Sequence, residues 1–310
     1  MSMEQTPTAA DFARPDFEED ASTPLATQAR DHVDLVERLS TVGDFGPPAS
    51  SRVFVVANQK GGVGKTTTSV NIAAAMALRG LSVLLIDLDP QGNASTATNI
   101  EHGSGTPGTY EVLLDGMSID DAVQKAPDIP NLSVVPATID LAGAEIELVS
   151  LVSREQRLRQ AIDDYVDSHD VDYVFIDCPP SLGLLTVNAM AAAREVLIPI
   201  QCEYYALEGL SQLLRNIELV QRHLNPDLDV TTVLLTMHDA RTNLSASVAA
   251  EVRQHFGERV LQTAIPRSVK ISEAPGYQQT ILTYDPTSTG ALSYLEAARE
   301  MTTHYPQKEQ

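Results

Sequence analysis

The segment Val53-Phe54-Val55-Val56-Ala57-Asn58-Gln59-Lys60-Gly61-Gly62-Val63-Gly64-Lys65-Thr66-Thr67 opens on an uninterrupted apolar run and closes on a lysine followed by hydroxyls. A short apolar run of this kind reads as a strand buried on both faces of a parallel sheet. From Thr66 to Arg79 the chain becomes rich in Ala, Ile and Met and stops at Gly80, a suitable residue just past a helix end. Between strand and helix lies a glycine-rich loop. Its glycines let backbone N–H groups approach phosphate oxygens, and the helix N-terminus adds a favourable field. The general phosphate-loop pattern is Gly-x-x-x-x-Gly-Lys-Ser/Thr between a strand and a helix. Gly64-Lys65-Thr66 meets its end. Its first glycine is missing, because Gln59 stands there, and Lys60 adds a second cation ahead of Gly61 and Gly62. In such a loop Lys65 reaches the β- and γ-phosphates, the Thr66 hydroxyl ligates Mg²⁺ and Thr67 assists at the α-phosphate.

Outward from the loop, strand and helix patterns alternate. Ser82-Val83-Leu84-Leu85-Ile86-Asp87 is the next buried strand, and further strands are predicted at 132–135, 173–176, 196–200 and 232–235. Helices are predicted around 154–166, 184–192, 209–223, 245–256 and 289–303. This alternation implies an α/β fold, a P-loop NTPase whose mostly parallel, twisted sheet carries helices on both faces. Residues 1–50 read as a disordered acidic N-terminal tail, too poor in apolar groups to offset ordering entropy. Within them Val33, Val36 and Leu39 fall at helical spacing in the stretch 27–39. One ATPase domain is expected over 51–305.

The whole chain has 310 residues, 43% hydrophobic, with no Trp and 5% aromatics, so aliphatic side chains must fill the core. A formal charge of −21 argues against a globally basic nucleic-acid binder, while leaving room for a local basic patch. Cys178 and Cys202 are too few for a disulfide framework and fit a reducing cytosol. The start, with Glu4, Asp11 and Asp16, lacks the cationic and apolar regions of a signal peptide, and no apolar run reaches the roughly 18 residues of a membrane span. A soluble, cytoplasmic protein is expected.

Asp87, Asp89 and Asp177 stand at or just past strand ends, the edge of an open parallel sheet where ligands bind. Asp177 follows the apolar run Tyr173-Val174-Phe175-Ile176, the form of an acid that holds Mg²⁺ directly or through water. Phosphoryl transfer needs positioning and charge neutralisation more than a strong base, so carboxylates suit it.

Residues 58–68 closely resemble the deviant Walker A loop of the ParA/MinD ATPases, in particular the chromosomal ParA (Soj) branch. The resemblance continues in Leu85-Ile86-Asp87-Leu88-Asp89-Pro90-Gln91-Gly92-Asn93 and Phe175-Ile176-Asp177-Cys178-Pro179-Pro180-Ser181. It ends in Ile265-Pro266-Arg267-Ser268-Val269-Lys270-Ile271-Ser272-Glu273-Ala274-Pro275, and spans about 52–303. It implies ATP and Mg²⁺ as cofactors, held by Lys60, Gly61, Gly62, Val63, Gly64, Lys65, Thr66 and Thr67, with Pro266 near the adenine. It implies metal contacts from Thr66, Asp87 and Asp177, and catalytic roles for Lys60, Lys65 and Asp89, the last positioning the attacking water. Lys60 would cross a homodimer interface formed on ATP binding to contact the partner's nucleotide. The same resemblance implies a nucleoid-associated location and non-specific DNA binding, for which Arg241, Arg267 and Lys270 fit best. It also implies a ParB-like centromere-binding partner that stimulates hydrolysis. One departure stands out: Asp285-Pro286-Thr287-Ser288-Thr289 carries no base where many relatives do. The membrane-binding MinD branch is the alternative, but the end Met301 to Gln310 is short, polar and broken by Pro306. An iron–sulfur component would need cysteine companions that Cys178 and Cys202 lack.

Overall fold

The computed structural model describes Leu35, Arg38, residues 42–204 and residues 210–303. Eight strands form one sheet: β1 Arg52–Val56, β2 Val83–Asp87, β3 Gln124–Lys125, β4 Leu132–Val135, β5 Tyr173–Asp177, β6 Glu195–Gln201, β7 Asp229–His238 and β8 Val260–Pro266. Their spatial order is β3-β4-β2-β5-β1-β6-β7-β8. Every pairing is parallel except the short β3 against β4. The helices that matter below are α1 Lys65–Leu78, α2 Asn93–Ala97, α3 Thr109–Leu114, α4 Arg157–Ser168, α5 Leu184–Ala192, α6 Leu210–His223, α7 Asn243–Phe256, α8 Val269–Glu273, α9 Ile281–Tyr284 and α10 Thr289–Thr303.

Two apolar layers sandwich the sheet, and the period of two along β1 divides its side chains between them. Val53, Val55 and Ala57 face the layer formed with α4, α5, α6 and α7. Phe54 and Val56 face the other, where α1 and α10 pack. All five residues of β1, β2 and β5 are buried, as a parallel sheet covered on both faces requires. Because these strands run in parallel, the turns that follow them emerge together at one edge. Registers at that edge align Val56 and Asp87 with Asp177.

The expected boundary at residue 50 is crossed by the packing. Val42 and Phe45 are buried in the α1 layer, and the Phe45 N–H donates to the Arg79 carbonyl at 3.0 Å. These two apolar side chains cover the end of α1, so packing against the domain begins before residue 51. Of the stretch 27–39 only Leu35 and Arg38 are described; both are helical, and the Arg38 guanidinium reaches Glu296 of α10 at 2.5 Å. The rest of the expected tail, and residues 304–310, lie outside the described residues. β8 was not expected from its sequence. Gln262 is exposed and Thr263 half-buried on this edge strand, which breaks the apolar run.

At the start of β1, the end of the strand away from the loop, Arg52 is buried and clamps β6. Its guanidinium donates to both oxygens of Glu195, at 2.7 and 2.6 Å, and to the Met301 carbonyl at 2.8 Å, so α10 is tied to the sheet. It also lies over the Phe54 ring at 4.8 Å. Removing one partner of a buried pair strands the other charge. Arg52→Met is therefore expected to cost about 3–5 kcal/mol, read as a lower urea midpoint at unchanged m-value.

Candidate active site

The loop between β1 and α1 is shaped by glycine conformation and by three side-chain anchors. Gly62 and Gly64 have φ of 74° and 89°, in the left-handed region that a Cβ disfavours. Gly64 is the N-cap of α1, so the turn into the helix leaves its first N–H groups without intrahelical partners. Asn58 anchors the loop's start. Its Nδ2 donates to the Pro199 carbonyl of β6 at 2.9 Å, and its Oδ1 accepts from the Lys60 N–H at 3.0 Å. The crest is anchored by Thr236 of β7, whose hydroxyl donates to the Val63 carbonyl at 2.8 Å. Behind it, Asn71 of α1 donates to the Thr67 carbonyl at 2.7 Å and accepts from the Ile281 N–H at 2.9 Å.

Lys65 is buried at the start of α1. Burial pushes its ammonium down from the usual lysine range, against the pull of Asp177 and Asp89. Lys60 is half-buried, and among the described residues its ammonium makes no ion pair. Thr66 and Thr67 stand partly exposed on the first turn of α1, where they line a cavity of about 260 Å³ with Asn93, Thr96 and Pro275.

Asp177 and Asp87 are both fully buried and differ in how they are satisfied. Asp177 Oδ1 accepts from the Ser69 hydroxyl at 2.8 Å, while its Oδ2 is buried without a partner among the described residues. Burial, then the neighbouring Asp87 charge, raises Asp177 to about 7, with the Thr66 and Ser69 hydroxyls opposing. A buried carboxylate oxygen lacking a donor, beside a threonine on the first helical turn, fits a hard divalent cation. Among the described residues no three His, Cys, Asp or Glu side chains converge, so the other ligands would be phosphate and water, as suits Mg²⁺.

Asp87, expected near the metal, differs from Asp177 in that both of its oxygens accept hydrogen bonds from the protein. Oδ1 accepts from the Asp89 N–H at 3.2 Å, and Oδ2 accepts from the Ser95 N–H and hydroxyl at 2.8 and 2.7 Å. Burial raises it to about 6 against those bonds. Its contacts pin the turn that carries Asp89 to the start of α2. Asp89, barely accessible, accepts from the Gln91 N–H at 3.0 Å.

A family model described as an AAA domain matches residues 51–230. The sporulation initiation inhibitor protein Soj of Bacillus subtilis is 54% identical over 250 residues, covering 81% of this chain and 98% of that one. The chromosome partitioning protein ParA of Caulobacter vibrioides is 50% identical, covering 81% and 93%. The chain belongs to the ParA/MinD family of P-loop ATPases. Among solved structures, cobyrinic acid a,c-diamide synthase from Mycobacterium smegmatis with bound ADP and magnesium is 40% identical. It covers 80% of this chain and 92% of that one, with a TM-score of 0.69.

On this ParA-type scaffold the residues expected to contact DNA lie past the ends of β7 and β8, along the same sheet edge. Each already has an acidic partner: Arg241 with Asp239 at 2.9 Å, Arg267 with Glu203 at 2.8 Å, and Lys270 with Asp285. Pro266 ends β8 in register with His238, with β7 and β6 between it and β1. Cys178 and Cys202 are both buried, as small apolar residues. No helix among the described residues is long and apolar enough to cross a membrane. The sequence reading missed Asn58, Ser69, Ser95 and Thr236. Ser69 was within reach, since it follows Lys65 by one helical turn and so shares its face. Ser95 and Thr236 act across the fold and leave no local signal.

Asp177 gives this site a pH signature. Its pKa is near 7 in the folded chain and near the ordinary 3.8 when unfolded, so the folded state binds the extra proton between those values. Stability contributed by this group is full below the unfolded value and is lost as pH rises through about 7. Asp177→Asn removes that loss. In urea melts of nucleotide-free protein, the variant is expected to gain on the parent steadily from pH 4.5 to about 7 and then level off.

Proposed function

We propose that this chain is a Mg²⁺-dependent ATPase of the partitioning type, which pairs with a second copy on binding ATP and holds non-specific DNA while paired. One observation carries this: a two-lysine loop whose Lys65 is buried beside Asp177, while Lys60 makes no ion pair among the described residues. Mg²⁺, when bound, would supply positive charge that offsets the charge of the phosphates. Asp177 Oδ2 and the Thr66 hydroxyl are the groups that would hold it. Lys65 supplies positive charge at the terminal phosphates from a low-dielectric position, where charge counts for more. The N–H groups of Gly61, Gly62, Val63 and Gly64 cradle the phosphates, with Thr67 at the inner end.

Asp89 orients the attacking water, and Asp87 and Ser95 hold Asp89 in place. Asp87 is thus a positioning residue and not a metal ligand. Lys60 reaches across to the nucleotide of a second copy. Pro266, at the end of β8, stands on the nucleoside side. Arg241, Arg267 and Lys270 provide the DNA contacts, and a ParB-like partner stimulates hydrolysis once DNA is bound. Residues 51–305 act as one ATPase domain with Val42 to Ser50 packed onto it, in a cytoplasmic, nucleoid-associated protein. The MinD-like alternative turned on the C-terminal end, and 304–310 lie outside the described residues.

Two variants separate the roles. Asp89→Ala is expected to bind ATP with near-parental affinity, hydrolyse it at least about 100-fold more slowly, and run as a dimer at saturating ATP in light scattering. Lys60→Ala is expected to bind ATP but stay monomeric. Full ATPase activity in Asp89→Ala, or a Lys60→Ala dimer, would contradict these assignments. Joint stimulation of the parent ATPase by DNA and a ParB-like partner tests the partitioning role; stimulation by liposomes instead would favour the membrane branch.

A further inference from the structure

The three cations assigned to DNA share an arrangement: each is closed off by a carboxylate from a different element. Asp239 follows β7, Glu203 follows β6, and Asp285 follows α9. Asp239 takes the Arg241 guanidinium on both oxygens, at 2.9 and 3.0 Å, and also accepts from the Arg241 N–H at 3.1 Å. In every pair the cation is the outer member. Relative side-chain exposure is 89% against 23% for Arg241 and Asp239, 58% against 44% for Arg267 and Glu203, and 60% against 18% for Lys270 and Asp285. Two of the pairs also adjoin one another: the Arg267 N–H donates to the His238 carbonyl at 3.1 Å, and the Arg267 charge acts on Asp239. Hydrogen bonds from Arg241 hold Asp239 down near 2, so this carboxylate stays charged at any physiological pH.

We propose that Glu203, Asp239 and Asp285 are internal counter-ions, which a nucleic-acid phosphate backbone must displace before it can pair with Arg267, Arg241 and Lys270. The proposal rests on the DNA reading above and adds to it the acidic half of the surface. A phosphate approaching from solvent meets the exposed side of each cation while the carboxylate holds the inner side. An exposed pair of this kind competes only weakly, so each one lowers affinity by a factor of about two to five. Together they keep the surface nearly neutral in the free chain, which suits a protein that must release DNA as readily as it binds. Two of the three carboxylates stand at the ends of strands that touch the phosphate loop. The Asn58–Pro199 bond links the loop to β6 and Glu203, and the Thr236–Val63 bond links it to β7 and Asp239. Between Thr236 and Asp239, Met237 adopts a φ of 50°, rare for a residue with a side chain. A change at the loop therefore has a short path to two of the pairs.

The test measures binding of a short duplex by fluorescence anisotropy, with a slowly hydrolysed ATP analogue, across a salt series. Glu203→Gln, Asp239→Asn and Asp285→Asn keep an accepting oxygen and remove one charge each. Glu273→Gln removes a charge that acts on Lys270 through space but forms no ion pair among the described residues, and so serves as the control for unpaired charge. Each of the three variants is expected to tighten binding about two- to five-fold, and the triple variant more than ten-fold. The triple variant should also show a steeper fall with salt, because salt no longer loosens competing internal pairs. Gains no larger than that of Glu273→Gln, with parental binding intact, would overturn the proposal while leaving the DNA reading standing. Absence of binding by parent and triple variant alike at low salt would overturn both. Binding by the triple variant alone would support both. Unchanged binding of the ATP analogue reports that each variant has folded.

Discussion

A carboxylate carried at the end of a central strand, fully buried and short of hydrogen-bond donors, would be expelled or protonated in an ordinary core. Asp177 is kept there by the sheet itself. Its strand is the middle member of a set buried on both faces, in register with β1 on one side and β2 on the other. Aligned rings of Phe54, Tyr173 and Phe175 stack along one face of these strands, with Phe54 and Phe175 centroids 5.4 Å apart, and leave the backbone little freedom to move. The site at the edge thus inherits its geometry from the core. Ser69 satisfies one oxygen, and the other is held open at a cost the aliphatic core must offset. The same strain makes the site receptive: a divalent cation or a lysine entering this field removes an existing penalty.

Asp87 shows how a second buried carboxylate can be spent differently a few ångströms along the same edge. Ser95 and the Asp89 N–H bond both of its oxygens, so it links β2 to α2. Ser95 also accepts from the Ala137 N–H at 3.2 Å, past the end of β4. The Asp89 turn is therefore fixed from below by β2 and from the side by the turn after β4. Two carboxylates of identical chemistry thus sit in different surroundings because their local donors differ.

Much of the architecture was legible because parallel strands buried on both faces must be continuous apolar runs. Val53 to Ala57, Val83 to Asp87 and Tyr173 to Ile176 announced themselves in this way, and α1 was bounded by Gly80. The phosphate loop was legible for a stronger reason: glycine, lysine and hydroxyl at fixed offsets have few other uses between a strand and a helix. What the sequence hid was cooperative. β8 carries Gln262 and Thr263 on an edge that tolerates them, so its pattern resembles a loop. The burial of Val42 and Phe45 needed the end of α1 as a partner surface, which no local window contains. The acidic partners of Arg241, Arg267 and Lys270 were equally invisible, since two of the three come from elsewhere in the chain, 64 and 15 residues away.

Those pairings bear on how a chain of net charge −21 could hold a polyanion at all. At physiological ionic strength the Debye length is about 8 Å, so most of the acidic surface is screened from a ligand at the β7–β8 edge. Distant carboxylates therefore set solubility and weak repulsion, while binding is decided within a few ångströms of the cations. In that range the chain places one carboxylate against each base. The departure at Asp285-Pro286, read from sequence as a missing base, is in the structure an added acid bonded to Lys270. The local balance is therefore near zero rather than positive. A surface so balanced would gain from being doubled in the proposed ATP-bound pair, since two weak patches held together multiply their affinities. Control of DNA binding would then lie with the phosphate loop, which decides whether the second patch is present.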